Sequence, residues 1–410
     1  MTIARNTNPK GASRMPKSAA EAQALSLYRL PVATAVLVWC GVAVVSSLYV
    51  ALPMNAMFAE TFAVSAELAA WTSSGFSFAY AAGFLLLAPL AARYGTWRIM
   101  VAGLAILGLV TPLIGLMDSL PGVIAMRAAQ GFVAATFAPN ALTYIAEVYP
   151  ADKRIATVGF LSTGFLLAGI VGQVFGSLML PAPGWPYAFY VLGAAYLISA
   201  ALLGLFAPAS GRGGGESERL PIYRQIGALL RNKRLALLFF IALTLFLVFV
   251  GMYAALGSVL AAPPYSLDAD GIMLVRAAGI VGMALSPFTG ALAARFGLPR
   301  MLKAALLGAS VGLAAIGLSA SLAALVVSSV VFVAGISVLI PTLVSLAGQQ
   351  AGSARGAAMA MYSFILFLGA TLGPLVSLRL LHAGSALIAF GALALLLLVS
   401  YACAIAATRP

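Results

Sequence analysis

Apolar stretches follow one another along nearly the whole chain, each closed by a short polar or Pro/Gly-containing break. A membrane-crossing helix needs about 20 mostly apolar residues, and the pattern predicts twelve of them. They fall near 30–52, 68–92, 98–116, 121–145, 155–180 and 186–207, then 234–258, 271–294, 301–319, 322–346, 356–380 and 384–406. None alternates apolar and polar at period two, as the wall of a membrane barrel must. The fold class is therefore an all-α membrane protein. Ahead of span 1, residues 1–28 are polar and basic (Arg5, Lys10, Arg14, Lys17) and read as a disordered cytosolic tail. The apolar run behind them is a full span without a small-x-small cleavage site, unlike a signal peptide. Residues 208–233 form the long interior linker: Gly211–Gly215 reads as flexible, and Leu220–Arg234 as a basic amphipathic helix on the membrane surface.

The runs are organised by a repeat. Leu90-Ala91-Ala92-Arg93-Tyr94-Gly95 returns 202 residues later as Leu292-Ala293-Ala294-Arg295-Phe296-Gly297, and an Arg follows each copy (Arg98, Arg300). A second landmark agrees: Arg154, Ser162, Gly172 and Gln173 match Arg355, Ser363, Gly373 and Pro374 at an offset of 201. Two independent landmarks at nearly one offset mean two halves of common design. The expected architecture is twelve transmembrane helices in two pseudo-symmetric six-helix bundles, 29–207 and 234–410. A parallel duplication of this kind puts a substrate site between the halves.

Composition excludes a soluble domain: 63% of residues are hydrophobic and 8% charged, against about 25% charged in ordinary globular proteins. The net charge of +13 does not point to nucleic acid, because the basic residues lie between spans and form no patch with interleaved aromatics. With twelve spans both termini share one side, and 20 of the 23 Lys and Arg fall on it; the others are Arg127, Arg276 and Arg379. By the positive-inside rule that side is cytoplasmic. Compact loops and the absence of an Asn-x-Ser/Thr sequon suit a bacterial inner membrane. Cys40 and Cys403 lie inside spans, and with one His and no C-x-x-C there is no conventional metal site.

These features resemble the major facilitator superfamily over residues 30–406, most closely its twelve-span efflux branch of drug:proton antiporters and sugar-efflux proteins. The signature of the loop between spans 2 and 3, Gly-x-Leu-x-Asp-Arg-x-Gly-Arg-Lys, is met by Ala88, Leu90, Ala92, Arg93, Gly95 and Arg98, and again by Gly290, Leu292, Ala294, Arg295, Gly297 and Arg300. The span-4 signature Arg-x-x-Gln-Gly is intact as Arg127-Ala128-Ala129-Gln130-Gly131. The span-5 antiporter signature survives in part as Gly159, Gly172 and Gly176, with Gln173 in place of its Pro. The resemblance implies alternating access, with the two bundles rocking about a central cavity. The signature Asp is Ala in both copies, so the loop-to-helix charge lock lacks its usual acid. Glu147 is the candidate substitute partner of Arg93; the competing reading is an exposed pair with Arg154. Gly369 and Gly373, at i, i+4 spacing before Pro374, are expected to let the bundles slide closely.

None of the ten acids falls well inside a span, so no mid-membrane proton relay is written in the chain. The embedded charges are Arg127 and Arg276. Each reads either as a cavity group that grips an anionic or hydroxyl-rich solute, or as a structural group: a hydrogen-bond hub for Arg127, a snorkelling side chain for Arg276. Gln173, Ser77, Tyr80 and Tyr49 would complete the polar lining; Tyr49 reads equally as an interface anchor. The expected function is secondary transport, more specifically export, of a small neutral-polar or anionic organic solute. The alternative is a multidrug/proton antiporter using rim acids such as Glu60 or Glu67. An embedded enzyme would need a catalytic constellation at one depth, and none is visible. The expectation is a monomer among membrane lipids, with no cofactor, nucleotide or nucleic acid; a proton could travel on the substrate's own carboxylate.

Overall fold

The computed structural model describes residues 17–180, 184–209 and 222–409. The described chain is helical with short breaks. Span 1 is Lys17–Tyr49. Span 2 is bent by 43° between Leu86 and Ala88, where Pro89 in the first turn of Ala88–Tyr94 has no N–H to continue the ladder. Span 3 is Thr96–Ile114, span 4 is Leu120–Ala134 with Ala138–Val148, span 5 is Ala151–Leu178 and span 6 is Trp185–Phe206. Span 7 is Lys233–Ala261. Span 8 is Ala269–Met283 with Thr289–Phe296, broken at a 3₁₀ turn that contains Pro287. Spans 9 and 12 are Leu298–Leu318 and Ala386–Ala407.

Between them, one apolar helical stretch of 62 residues runs from Leu322 to Ala383. At about 1.5 Å per residue it would be three times too long for one crossing. Gly352, at φ +53°, splits it into span 10, Leu322–Ala351, and span 11, Arg355–Ala383. Together with the bent pair of span 2, this gives twelve spans among the described residues. Large apolar side chains such as Leu205, Leu274, Val281 and Leu318 are exposed on the outside, as lipid-facing surface requires.

Helix pairing makes the duplication visible in space. Spans 1·5, 2·4, 3·6, 3·4 and 1·6 pack together in the first half, and 7·11, 8·10, 9·12, 9·10 and 7·12 in the second. The repeated stretch has one backbone in both copies. Gly95 (φ 90°, ψ 146°) and Gly297 (φ 77°, ψ 146°) each end a helix and start the next at once. Arg93 lies 5.4 Å over the Tyr94 ring, and Arg295 lies 5.3 Å over the Phe296 ring. That corner of φ/ψ space is closed to residues with a Cβ, so only glycine makes this turn without strain.

One expectation is corrected at the N-terminus. Residues 1–16 lie outside the described residues, but the backbone is helical from Lys17 onward. Ala, Glu, Gln and Leu over 19–25 favour helix strongly, and continuing an existing helix avoids the cost of nucleating one. The surface helix expected over Leu220–Arg234 is found as Ile222–Arg231. It buries Leu229 and packs on spans 7 and 11, while Arg224 and Arg231 are exposed. Asn232 then caps span 7, accepting from the N–H groups of Arg234 and Leu235. The Gly211–Gly215 segment lies outside the described residues.

Gly95→Ala and Gly297→Ala should each lower stability by about 1–3 kcal/mol. Gly204→Ala, in span 6 with open space around it, should be neutral or stabilising by up to about 1 kcal/mol. Thermal unfolding in detergent distinguishes the three.

Candidate functional site: a cavity between the two halves

A cavity of about 280 Å³ lies between the halves. Spans 1, 2, 4 and 5 wall it on one side and 7, 8, 10 and 11 on the other; no residue of spans 3, 6, 9 or 12 reaches it. The offset of 201 carries over to its lining: Ser162 and Ser363, Phe165 and Leu366, Leu166 and Phe367, and Gln173 and Pro374 are repeat equivalents, and all eight face the cavity. Most of the wall is apolar and aromatic. Its polar members are Tyr49, Tyr80, Tyr253, Tyr362, Ser162, Ser363, Gln173 and Arg276.

Arg276 is the one residue with a formal charge among the described lining residues. It sits half-buried in the first part of span 8. Nη2 donates to the Tyr253 carbonyl at 3.1 Å and Nη1 reaches Gln173 Oε1 at 3.5 Å. Nε is buried without a partner. Gln173 also donates through Nε2 to the Gly169 carbonyl one turn back, at 2.8 Å. Arg276 belongs to the second half and Gln173 to the first, so their contact crosses the cavity toward the face opposite the basic one.

Arg127 is different. It is fully buried inside the first bundle and does not line the cavity. Nε donates to the Thr72 carbonyl at 3.2 Å, and Nη1 to the Ser47 carbonyl at 2.9 Å and to Gln130 Oε1 at 2.6 Å. Gln130 passes the network on to Thr111 Oγ1 at 3.0 Å, and the Phe76 ring lies 4.5 Å below the guanidinium. One side chain thus ties spans 1, 2, 3 and 4 together, and the hub reading replaces the solute-gripping one. Ser77 is corrected likewise: it donates to the Ser73 carbonyl of its own helix at 2.9 Å and stands outside the lining. A mid-span hydroxyl without another partner satisfies itself this way.

On the basic side the halves meet. A Cβ on Gly159 of span 5 would run into the Ser286 carbonyl at the break in span 8, and one on Gly290 would press on Ala156. Ser286 Oγ donates to the Gly159 carbonyl at 3.0 Å, and Thr163 Oγ1 to the Met283 carbonyl at 3.4 Å. Tyr80 and Phe84 of span 2 pack edge-on against Phe367 of span 11. The inter-half seam runs where span 5 meets spans 8 and 10 and span 11 meets spans 2 and 4, and Gly159 and Gly290 lie on it. The sliding role expected of Gly369 and Gly373 is corrected: they seat span 11 on Leu243 and Leu247 of span 7, inside one bundle. Pro374 faces the cavity.

The remaining switch candidates lie on the basic face. Arg93, Arg98, Arg295 and Arg300 are exposed. Thr96 Oγ1 donates to Glu147 Oε2 at 2.7 Å, linking the inner end of span 4 to the turn at Gly95. Arg154 Nε donates to the Tyr149 carbonyl at 2.8 Å, and Arg355 donates to the Gly348 carbonyl.

Sequence reasoning missed Tyr362, Tyr253 and the phenylalanines. Carrying the 201-residue offset through span 5 would have found the span-11 wall, Ser363 and Phe367 included.

The chain has two matched sets of six spans, with eight of the spans walling a cavity of small-molecule size. The sequence profile described as Major Facilitator Superfamily matches residues 34–285, and the chain belongs to that family. It is 30% identical to an uncharacterised MFS-type transporter of Mycobacterium tuberculosis over 136 residues, 32% of this chain and 24% of that one. Multidrug resistance protein 3 of Bacillus subtilis is 27% identical over 122 residues, 30% of this chain and 24% of that one. The inner membrane transport protein YnfM of Escherichia coli is 24% identical over 258 residues, 63% of this chain and 62% of that one. The chain thus spans about a quarter of the first two relatives and under two thirds of the third. In structure it is similar to the proton:xylose symporter XylE bound to 6-bromo-6-deoxy-D-glucose (TM-score 0.74, 16% identity, 92% of this chain and 95% of that one). The Escherichia coli fucose:proton symporter FucP gives 0.72 at 16% identity, over 93% of this chain and 99% of that one. The shared fold is what these likenesses show.

Arg127→Ala should destabilise the first bundle by about 1–3 kcal/mol for each acceptor left unpaired, read as a lower unfolding temperature in detergent. Gly159→Val should oppose closure of the basic side at a cost of about 1–3 kcal/mol, shifting the population roughly five- to a hundredfold. In a chain carrying Cys40→Ser and Cys403→Ser, the thiol of an added Ala360→Cys, at the inter-half cleft of the basic face, should then label faster. Unchanged labelling would mean that the Gly159 contact does not hold the halves together.

Proposed function

We propose that this protein exports a small neutral-polar or anionic organic solute by alternating access, with the halves 29–207 and 234–410 moving as bodies about the cavity. The observation that carries the reading is the charge of the cavity wall: Arg276 is present and no Asp, Glu or Lys accompanies it among the described lining residues. A wall of low polarity magnifies the field of a single guanidinium, attracting anions and repelling cations. The contacts at Gly159, Ser286 and Phe367 serve as the closed gate of the basic side. The positive-inside distribution makes that side cytoplasmic, with both termini there, in a bacterial inner membrane. The working unit is a monomer without cofactor. A solute carboxylate could itself bring a proton, since the cavity wall supplies no acid.

Multidrug efflux is the second reading. The aromatic wall formed by Phe84, Phe165, Phe246, Phe249 and Phe367 favours it, as does the name of the Bacillus subtilis relative. It then lacks the cavity acid that cationic drugs would need.

Flux into proteoliposomes tests the two. Organic acids should be moved and ethidium should not. Arg276→Ala should reduce acid flux about tenfold or more without loss of folded protein. Ethidium transport that survives Arg276→Ala would replace the first reading by the second. Collapsing the pH gradient and the membrane potential should slow flux; insensitivity to both would indicate facilitated diffusion.

A further inference from the structure

We infer that the ligand of this cavity is an amphipathic organic carboxylate, its head clasped between Arg276 of one half and Gln173 of the other. This inference rests on the transport reading of the same cavity and narrows it to a substrate class. Two observations carry it.

The contact between Arg276 and Gln173 is poor for both partners. At 3.5 Å, Nη1 to Oε1 is at the limit of a hydrogen bond, and Nε next to it is buried with no acceptor at all. A carboxamide offers one oxygen. A carboxylate offers two in the plane of the guanidinium and accepts from Nη1 and Nη2 across its end, or from Nε and Nη2 along its side, as shorter, charge-assisted bonds. The Gln173 amide N–H, now used on the Gly169 carbonyl, is close enough to turn onto the same anion. Because the two side chains belong to opposite halves, the bound anion becomes the bridge between them, and closure of that side is coupled to its arrival.

Beyond this polar edge the wall is apolar and aromatic, with Phe165, Phe246, Phe249 and Phe367 around the middle. Aromatic walls of this kind receive a flat or alicyclic body by stacking and edge contacts. A fully hydrated sugar would leave its hydroxyls unpaired there.

Toward the basic side the Tyr362 hydroxyl is buried without a hydrogen-bond partner, on a ring that is 2% exposed and faces the cavity. Tyr362 lies about 10 Å along span 11 from its basic end, and Arg276 about 10 Å along span 8 from the opposite face. The spans run about 42 Å end to end, so the two groups lie roughly 20 Å apart and a ligand must be about that long to meet both.

The test uses the purified full chain in detergent. Binding is read by thermal shift and calorimetry with four probes: hydrocinnamate, its para-hydroxy derivative, hydrocinnamamide and phenethylamine. The acids should stabilise the protein, with the neutral amide about tenfold or more weaker and the amine inert. Gln173→Glu, which presents a resident carboxylate to Arg276, should cost the acids about tenfold and spare the amide. Arg276→Gln should bring acid and amide to equal affinity. Gln173→Glu carries the test if Arg276→Gln fails to fold. Equal binding of acid and amide by the unaltered protein overturns the carboxylate inference and leaves the transport reading standing. Preference for the amine overturns both. No stabilisation by any probe at millimolar concentration overturns the inference.

Discussion

Hydrocarbon offers no hydrogen bonds, so each polar group carried into it must find its partner inside the protein. Nearly every feature of this structure answers to that constraint. The span hydroxyls of Ser77, Thr157, Ser162 and Thr371 donate to carbonyls one turn back on their own helices. Arg127 is too large and too strongly charged to be satisfied locally. It collects carbonyls from spans 1 and 2 and reaches span 3 through Gln130. A buried charge without a counter-ion is tolerable when dipoles meet it on several sides and a ring face lies beneath it; Nη2 of Arg127 is left without a hydrogen-bond partner.

Some groups left unmet by the same rule lie at the cavity, while Ser73, Arg127, Thr289 and Gln350 carry unmet atoms elsewhere. Arg276 Nε and the Tyr362 hydroxyl are buried without partners, and both residues line the space between the halves. A dry interior makes such omissions costly. Those of Arg276 and Tyr362 coincide with the place where the duplication puts a solute.

The duplicated design also explains where motion is cheap. Within each bundle, glycines seat span 5 on span 1 and span 11 on span 7 by backbone contact, so each half is held tightly. Between the halves, span 5 meets spans 8 and 10 and span 11 meets spans 2 and 4, with Gly159 against the break of span 8 and Phe367 against Tyr80 and Phe84. The break is itself a consequence of Pro287, which leaves a carbonyl and the Ser286 hydroxyl free to face span 5. A seam between two stiff bodies can open without disturbing either.

By itself the sequence determined the twelve spans, the two halves and the turn at Gly95 and Gly297. Those depend on hydropathy, on a repeat and on a residue without a Cβ, all of which are local or periodic. It also singled out Arg276, Gln173, Tyr49 and Tyr80, because a polar residue within an apolar run is conspicuous wherever it points. Direction was beyond it. Arg127 and Arg276 lie at similar depths in equally apolar runs, and only the packing of neighbouring helices turned one into the bundle and the other into the cavity. The same limit hid the location of the seam. A glycine pair reads alike whether its partner is in the same bundle or the other, and the Gly369–Gly373 pair met span 7 while Gly159 met span 8. Helix periodicity names a face, but what that face meets is decided by contacts between segments far apart in the chain.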